Sequence, residues 1–290
     1  MGAALLITLR EGLEAALIIS ILLAYLRQLE RTDRARLVWW GAALAAAFSL
    51  VVGTLVFAAA AEFEGTAEQL FEGLVSLTAV GVLTWMIFWM RKQGARLRSS
   101  LHERVDSALM SGGLGLAGLA FVVVAREGIE TALFVFAAAK ATAVSSGGAG
   151  EQLIGAGLGL AVAFAVGALL YRGAVTLNIR TFFKMTGGLI LVVAAGLFAF
   201  AIHELQEAGV FPFLTAQAFD ISRTLPDDSG VGGILRALIG YQANPTLLEL
   251  VAWVCYLTTA AVFYFRPYQI SAPQPAVAGV AQGGSDGGTR

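Results

Sequence analysis

The chain has 290 residues, of which 58% are apolar and 13% are charged. An ordinary soluble domain has about 45–50% apolar and about 25% charged residues, so this composition excludes a soluble enzyme. The 19 Lys and Arg residues nearly balance the 20 Asp and Glu residues. The positions of the charges along the chain are therefore more informative about function than the net charge.

Long apolar runs predict seven membrane-spanning helices, because a helix needs roughly 20 mainly apolar residues to cross a bilayer. In chain order the predicted spans are 2–26, 37–61, 70–90, 109–139, 152–171, 185–206 and 247–265. The first run lacks a basic leader and carries Arg10, Glu11 and Glu14, so we interpret it as a retained helix and not as a signal peptide. The expected fold class is an all-α polytopic membrane protein.

Lysine and arginine concentrate in the loops after the first, third and fifth spans and in the tail, whereas the opposite loops contain only Lys140, Arg223 and Arg236. Positively charged loops remain in the cytoplasm. We therefore expect a protein of the cell (plasma or inner) membrane with the N-terminus outside and the C-terminus in the cytoplasm. Residues 266–290 are rich in Pro, Gly and Ser and are expected to form a disordered cytoplasmic tail.

One motif occurs twice. Residues 10–17 read Arg-Glu-Gly-Leu-Glu-Ala-Ala-Leu and residues 126–133 read Arg-Glu-Gly-Ile-Glu-Thr-Ala-Leu, with six identities in eight positions. A weaker similarity at almost the same offset links the third and sixth spans. The pattern predicts a duplication of three spans.

Because each unit has three crossings, the two copies enter the membrane from opposite sides, as in the inverted repeats of many secondary transporters. We expect five parts, which are a first repeat at 1–106, an inverted second repeat at 107–208, an extracytoplasmic loop at 209–246, a seventh helix at 247–265 and the tail. Nine residues precede Arg10, and nine lie between Glu130 and the outer end of its span. At about 1.5 Å per residue, both motifs lie near the middle of the bilayer.

The motif spacing places two glutamates and one arginine on one side of each helix. Ionisable residues at this depth cost at least about 2.5–3.5 kcal/mol each, so they face the protein interior or water. Intrahelical Arg–Glu bridges that only hold helices together are the structural alternative, but four Glu against two Arg leave two excess negative charges. Four carboxylates without thiolates suit hard cations such as Mg, Ca, Mn and ferric iron better than copper(I) or zinc.

A second acidic group is expected at the outer ends of the helices, where it could line a vestibule that concentrates cations. An ordinary solvated surface is the equally simple reading. The candidates for this access route are Glu62, Glu64, Glu68, Glu72, His203, Glu204 and Glu207.

Three other features near the span ends have simpler interpretations. The stretch His203-Glu204 with Glu207 lacks the second histidine that a metalloprotease helix needs. Glu249 is interpreted as an interfacial residue, and Trp85 and Trp89 as interfacial anchors or packing residues.

The paired motifs Arg10–Glu14 and Arg126–Glu130 resemble those of the oxidase-dependent iron transporters, a family that includes the fungal high-affinity iron permease and the permease of a bacterial ferrous-iron uptake operon. The resemblance covers about residues 1–265 and extends to Glu72-Gly73, to Thr84-Trp85-Met86 with Trp89-Met90, and to the stretch from His203 to Glu207.

The resemblance implies import of iron as Fe(III), with Glu11, Glu14, Glu127 and Glu130 carrying the ion and Arg10 and Arg126 organising them. It also implies separate extracytoplasmic partners that oxidise or deliver iron, such as a multicopper ferroxidase, a haem peroxidase or an iron-binding protein. Lipid and the iron ion are the other expected partners, and neither a cofactor nor a nucleic acid is expected.

Other interpretations stay open at this point. A permease of the same design could carry manganese or lead. A membrane diiron oxidase would usually need two Glu-x-x-His motifs, and the chain has only His102 and His203. A seven-helix receptor gives no account of the duplicated charged motif.

Overall fold

A computed structural model describes residues 2–93, 97–110, 113–141, 148–172, 179–227 and 230–266. The described part is almost wholly helical. Its helices are α1 (Gly2–Gln28), α2 (Ala35–Glu62), α3 (Thr66–Gln93), α4 (Leu97–Met110), α5 (Gly113–Ala141), α6 (Gly148–Tyr171), α7 (Ile179–Glu207), α8 (Gly230–Ile239) and α9 (Leu247–Phe265).

The prediction of an all-α polytopic membrane protein is confirmed. Within the described residues, five segments are long and apolar enough to cross a membrane, and they lie in α2, α3, α6, α7 and α9. Helices α1 and α5 are also long, with 27 and 29 residues, but each carries the three charges of a motif along its length. The charges in α1 and α5, and not the lengths of these helices, distinguish them from the five apolar segments.

Two helices differ from the sequence prediction. The span expected at 109–139 is preceded by a separate helix, α4, and α5 begins at Gly113. The segment 209–246, expected to be a loop, contains α8. The expected disordered tail falls almost entirely on residues 267–290, outside the described part of the chain.

Local chemistry sets several helix boundaries. Gly65, between α2 and α3, has a φ of 58°, a left-handed conformation that glycine adopts without steric cost. Thr246 caps the start of α9, because its hydroxyl accepts a hydrogen bond from the Glu249 backbone N–H at 3.3 Å. These two positions therefore mark the end of α2 and the start of α9.

The long helices pack in a pattern that places the two charged helices together. Helix α1 lies mainly against α6, α2 against α5, and α3 against α7, while α9 covers α7. Helices α1 and α5 also contact each other near the centre of the bundle. The N-terminal part of α1 meets the C-terminal part of α5, where Ala4 and Val135 share a buried cluster, so the two helices run in opposite directions.

The outer faces of the bundle are apolar. On α2, Trp40, Leu44, Leu50 and Leu55 are all more than half exposed, and α6 exposes Phe164 similarly. A water-soluble monomer seldom exposes so large an apolar surface. These faces are the ones that contact lipid in a membrane protein.

Small residues of α6, which include Gly159 and Gly167, allow α1 and α6 to approach closely. A Cβ atom on Gly159 would overlap the Thr8 hydroxyl and would lie 2.5 Å from the Leu5 carbonyl oxygen. Gly167 meets Ala16 of α1 in the same way, with a distance of 2.6 Å to its Cβ atom. The α1–α6 contact therefore depends on the absence of side chains at these positions.

We expect Gly159→Ala to destabilise the protein by about 1–3 kcal/mol, because the added methyl group forces the two helices apart. Thermal unfolding of the purified protein in detergent, followed by size-exclusion chromatography, measures the change. Gly157→Ala is the control, since nothing lies within 4 Å of its added Cβ atom and alanine favours the helix by about 0.5–1 kcal/mol. Equal melting temperatures for the two variants would contradict the close contact.

Candidate metal site

The first motif lies on α1 and is completely enclosed. The exposed fraction of Arg10 is 2%, and its guanidinium faces both glutamates of its motif. Arg10 Nη1 lies 2.9 Å from Glu11 Oε1, and Arg10 Nη2 lies 2.9 Å from Glu14 Oε1. Nη1 also lies 3.5 Å from the sulfur of Met86 on α3. One guanidinium therefore pairs with two buried carboxylates, and its single positive charge offsets only one of their two negative charges.

The second motif, on α5, has the same residues but a different arrangement. Arg126 Nε donates to Glu130 Oε1 at 2.8 Å, and the Arg126 side chain is 35% exposed. Its guanidinium lies over the rings of Trp89 and Trp85, with 5.2 and 5.9 Å to the ring centroids. Among the described residues, no Lys or Arg nitrogen lies within 4.0 Å of the Glu127 carboxylate. The two motifs are thus alike in sequence and different in geometry.

Three glutamates from the two helices converge. One carboxylate oxygen each from Glu11, Glu14 and Glu127 lie within 4.8 Å of one another, and these residues are 1%, 3% and 4% exposed. Glu130 is also buried, at 8%, but Arg126 holds it outside this group. Of the four glutamates predicted as ligands, the structure therefore brings three together, with the fourth on the next turn of α5.

Several oxygens of this cluster lack a donor. Within the described part of the chain, Glu11 Oε2, Glu127 Oε2 and Glu130 Oε2 are buried and accept no hydrogen bond. Buried carboxylate oxygens are costly unless a donor or a cation compensates them. A cluster of oxygen ligands with no nearby thiolate is suited to a hard cation.

The glycine of each motif allows a neighbouring helix to approach the site. A Cβ atom on Gly12 would lie 2.7 Å from Ala163 of α6, and one on Gly128 would overlap the Ser49 hydroxyl of α2. The first motif therefore packs against α6, the helix that follows α5 in the chain. The second motif packs against α2, the helix that follows α1. Close packing at both glycines keeps the charged faces of α1 and α5 turned towards each other.

Neither histidine reaches the cluster. His102 on α4 stacks on Tyr25, with 3.9 Å between the ring centroids. His203 on α7 has Nδ1 2.9 Å from Glu249 Oε1 and Nε2 3.3 Å from Glu207 Oε1. The site is thus all-carboxylate among the described residues, which gives no support to a diiron oxidase built on Glu-x-x-His motifs.

The residues predicted to line an outer access route gather only in part. Glu72 is buried and forms an ion pair with Lys140 of α5, whose ammonium lies 3.3 Å from Glu68 Oε1. Glu207 accepts a hydrogen bond of 2.9 Å from Gln69 Nε2, which joins the end of α7 to the start of α3. Glu204 is half-buried in the same turn of α7 as Glu207.

The other two members of the predicted route lie apart from this group. Glu62 and Glu64 are exposed at the turn between α2 and α3. Within the described residues, neither forms an ion pair. The structure thus gathers five of the seven predicted side chains, namely Glu68, Glu72, His203, Glu204 and Glu207, at the adjacent ends of α3 and α7.

Sequence reasoning misjudged one residue near these clusters and left the role of two others open. Glu249 is not an interfacial side chain, because it is 2% exposed and hydrogen-bonded to His203 and to the Thr246 hydroxyl. Trp85 and Trp89, expected to be interfacial anchors or packing residues, pack against Arg126. Their spacing of four residues on α3 is the signal that could have paired them. Nothing in the sequence indicates that they face α5.

Proteins similar to this chain are described as iron permeases. The sequence matches the iron permease FTR1 family over residues 1–272. It is 42% identical over 265 residues to the ferrous iron permease EfeU of Escherichia coli O6:K15:H31, an alignment that covers 90% of this chain and 94% of the relative.

Two further relatives show the same extent of similarity. The ferrous iron permease EfeU of Yersinia pestis is 40% identical over 90% of this chain and 92% of its own length. A relative from Escherichia coli K12, described as a putative inactive ferrous iron permease, is 42% identical over 90% of this chain and 94% of its own length. No solved structure matches the chain. The chain belongs to the iron permease FTR1 family, whose members are membrane transporters of iron and not enzymes.

Proposed function

We propose that this protein imports Fe(III) through a site near the bilayer midplane formed by Glu11, Glu14, Glu127 and Glu130. The observation that carries the proposal is the convergence of three buried carboxylates from two oppositely directed helices, with oxygens within 4.8 Å of one another. Arg10 and Arg126 are the counter-charges that limit repulsion among the glutamates when no ion is bound.

We infer seven membrane crossings arranged as an inverted repeat of three helices, with α9 as the additional seventh crossing. Helices α1, α2 and α3 correspond to α5, α6 and α7. Exchanging the two sets turns the α1–α6 contact into the α5–α2 contact and leaves the α3–α7 contact unchanged. The packing pattern is therefore what a two-fold axis in the membrane plane would produce.

The same interpretation assigns 1–106 and 107–208 to the two repeats, 209–246 to an extracytoplasmic segment, 247–265 to the last crossing and 266–290 to a cytoplasmic tail. The positive loops place the N-terminus outside and the C-terminus inside the cytoplasmic membrane. In this orientation, the cluster of Glu68, Glu72 and Glu207 lies on the outer side.

Apolar side chains close the bundle on both sides of the site. Towards the N-terminus of α1, Ile7 and Phe134 are fully buried. Towards its C-terminus, Leu26 packs with Leu116 of α5 and Val105 of α4. Under the proposed alternating access, helix movements would open a path through these apolar layers.

The membrane potential supplies a driving force for inward movement. Moving three positive charges through an inside-negative potential is worth about 7 kcal/mol per 100 mV, at roughly 2.3 kcal/mol per charge. The chain has no P-loop motif for nucleotide hydrolysis.

The oxidation state of the transported iron implies extracytoplasmic partners. Relatives of this chain are described as ferrous iron permeases, whereas an all-carboxylate site favours the harder ferric ion. A separate ferroxidase, haem peroxidase or iron-binding protein that oxidises or hands over iron reconciles the two. The outer carboxylates are where such a partner would release the ion.

Neutralising a single glutamate of the site is expected to lower iron uptake by about 10- to 100-fold, because the ion loses a charged ligand in a low-dielectric site. The variants are Glu11→Gln, Glu14→Gln, Glu127→Gln and Glu130→Gln. Uptake of radioactive iron into proteoliposomes with an imposed potential provides the measurement.

Glu151→Gln is the matched control for these four variants, since Glu151 is an exposed glutamate in the first turn of α6. It should transport like the wild type. Undiminished uptake in Glu14→Gln and Glu127→Gln would overturn the site assignment.

Ion identity is tested by competition. We expect Ga(III), a hard trivalent ion that is not reduced under these conditions, to inhibit iron uptake more strongly than equal concentrations of Mn(II) or Pb(II), because carboxylate oxygens favour hard ions. Inhibition by Mn(II) or Pb(II) but not by Ga(III) would identify a divalent-cation permease of the same architecture. Uptake that occurs only with iron kept reduced would contradict Fe(III) as the transported form.

The outer route is tested at Glu72. Glu72→Gln leaves the Lys140 ammonium without its closest carboxylate, so a positive charge then lies where cations are concentrated. We expect the half-saturating iron concentration to rise several-fold, with the maximal rate less affected. Glu62→Gln, at an exposed position outside the cluster, is the control, and an equal change in both variants would contradict a specific access route.

A further inference from the structure

Two tryptophans of α3 hold the arginine of the second motif. Trp85 and Trp89 are one helical turn apart, and their rings stack with centroids 6.1 Å apart and an interplanar angle of 26°. The Arg126 guanidinium lies 5.2 Å from the Trp89 centroid and 5.9 Å from the Trp85 centroid. Arg126 thus reaches across from α5 to a two-ring platform on a different helix.

The platform accounts for the difference between the two motifs. Arg10 has a sulfur neighbour on α3 and directs its two terminal nitrogens to both glutamates of its motif. The Arg126 guanidinium instead lies over the two rings and pairs with Glu130 through Nε, and its buried Nη2 has no hydrogen-bond partner among the described residues. A guanidinium stacks well on aromatic faces and keeps its charge there.

This arrangement sets the charge balance of the converging carboxylates. Glu11, Glu14 and Glu127 lie together with one paired guanidinium, that of Arg10, among them. If Arg126 pointed at Glu127, a second cation would occupy the space between the motifs. The rings therefore keep a positive charge out of the position that an incoming cation needs.

We propose that Trp85 and Trp89 are positioning residues for iron binding, which hold Arg126 on Glu130 so that Glu127 stays available to the ion. The inference rests on the proposed function, because it assumes that the three glutamates bind the transported iron.

The experiment compares iron uptake by Trp89→Leu, Trp89→Phe and Trp85→Leu in proteoliposomes. Losing a partly desolvated cation–π contact corresponds to roughly a 3- to 30-fold effect. We expect Trp89→Leu to raise the half-saturating iron concentration by such a factor. Trp89→Phe keeps an aromatic face and should recover most of the wild-type value.

Trp40→Leu is the matched control, because Trp40 is 69% exposed on α2 and should change uptake by less than about twofold, as ordinary exposed substitutions do. Thermal unfolding of each purified variant shows whether it is folded. An unchanged half-saturating concentration in a folded Trp89→Leu protein would overturn the proposal, as would equal losses in Trp89→Leu and Trp89→Phe.

A double variant tests whether the tryptophan acts through Arg126. In an Arg126→Lys background, the planar stacking group is already gone, so adding Trp89→Leu should weaken equilibrium binding of radioactive iron to the purified protein by less than it does alone. Fully additive losses would contradict the proposal.

The same binding assay separates this inference from the proposed site. Wild-type binding by Glu14→Gln and Glu127→Gln would overturn the iron site itself. Loss of binding in those variants, together with wild-type behaviour of Trp89→Leu, would overturn only the role of the tryptophans.

Discussion

The cost of placing charge in hydrocarbon is the constraint on which this structure depends. Six ionisable side chains from two motifs lie along helices that cross or approach the centre of an apolar bundle. Each would cost several kilocalories per mole if it faced lipid. They are tolerated because α1 and α5 lie inside the bundle, where the remaining long helices screen them from lipid.

That constraint explains how the helices divide their roles. Helices α2 and α6 are apolar, expose much of their surface and lie against α5 and α1. At Gly12, Gly128 and Gly159, a neighbouring helix packs closely against α1 or α5. Each charge-bearing helix is thus paired with an apolar helix that follows the other charge-bearing helix in the chain.

The two motifs illustrate how one sequence pattern can adopt two arrangements. Arg10 is fully buried and forms ion pairs with two carboxylates, whereas Arg126 is partly exposed and divides its contacts between Glu130 and two aromatic rings. In a symmetric pair of motifs, both guanidinium groups would face the converging carboxylates. In the observed arrangement only the Arg10 guanidinium does so, and among the described residues Glu127 has no Lys or Arg nitrogen within 4.0 Å.

The sequence by itself determined the helical membrane class, the duplicated motif and the identity of the candidate ligands. These follow from apolar run length, from spacing along one helix and from the energetic penalty on charges such as Glu11 and Glu127, all of which are local properties. Helix α8 was missed because its ten residues are far too short to register as a membrane span.

Only the tertiary structure decided which glutamates meet. Whether Glu127 or Glu130 turns towards Glu11 depends on how α5 is rotated against α1, and that rotation is set by contacts with α2 and α3. The same holds for Trp89 beside Arg126 and for Glu249 beneath His203, because these pairs join residues tens of positions apart. Side-chain partners on different helices are fixed by three-dimensional packing, and the spacing of residues along the sequence does not predict them.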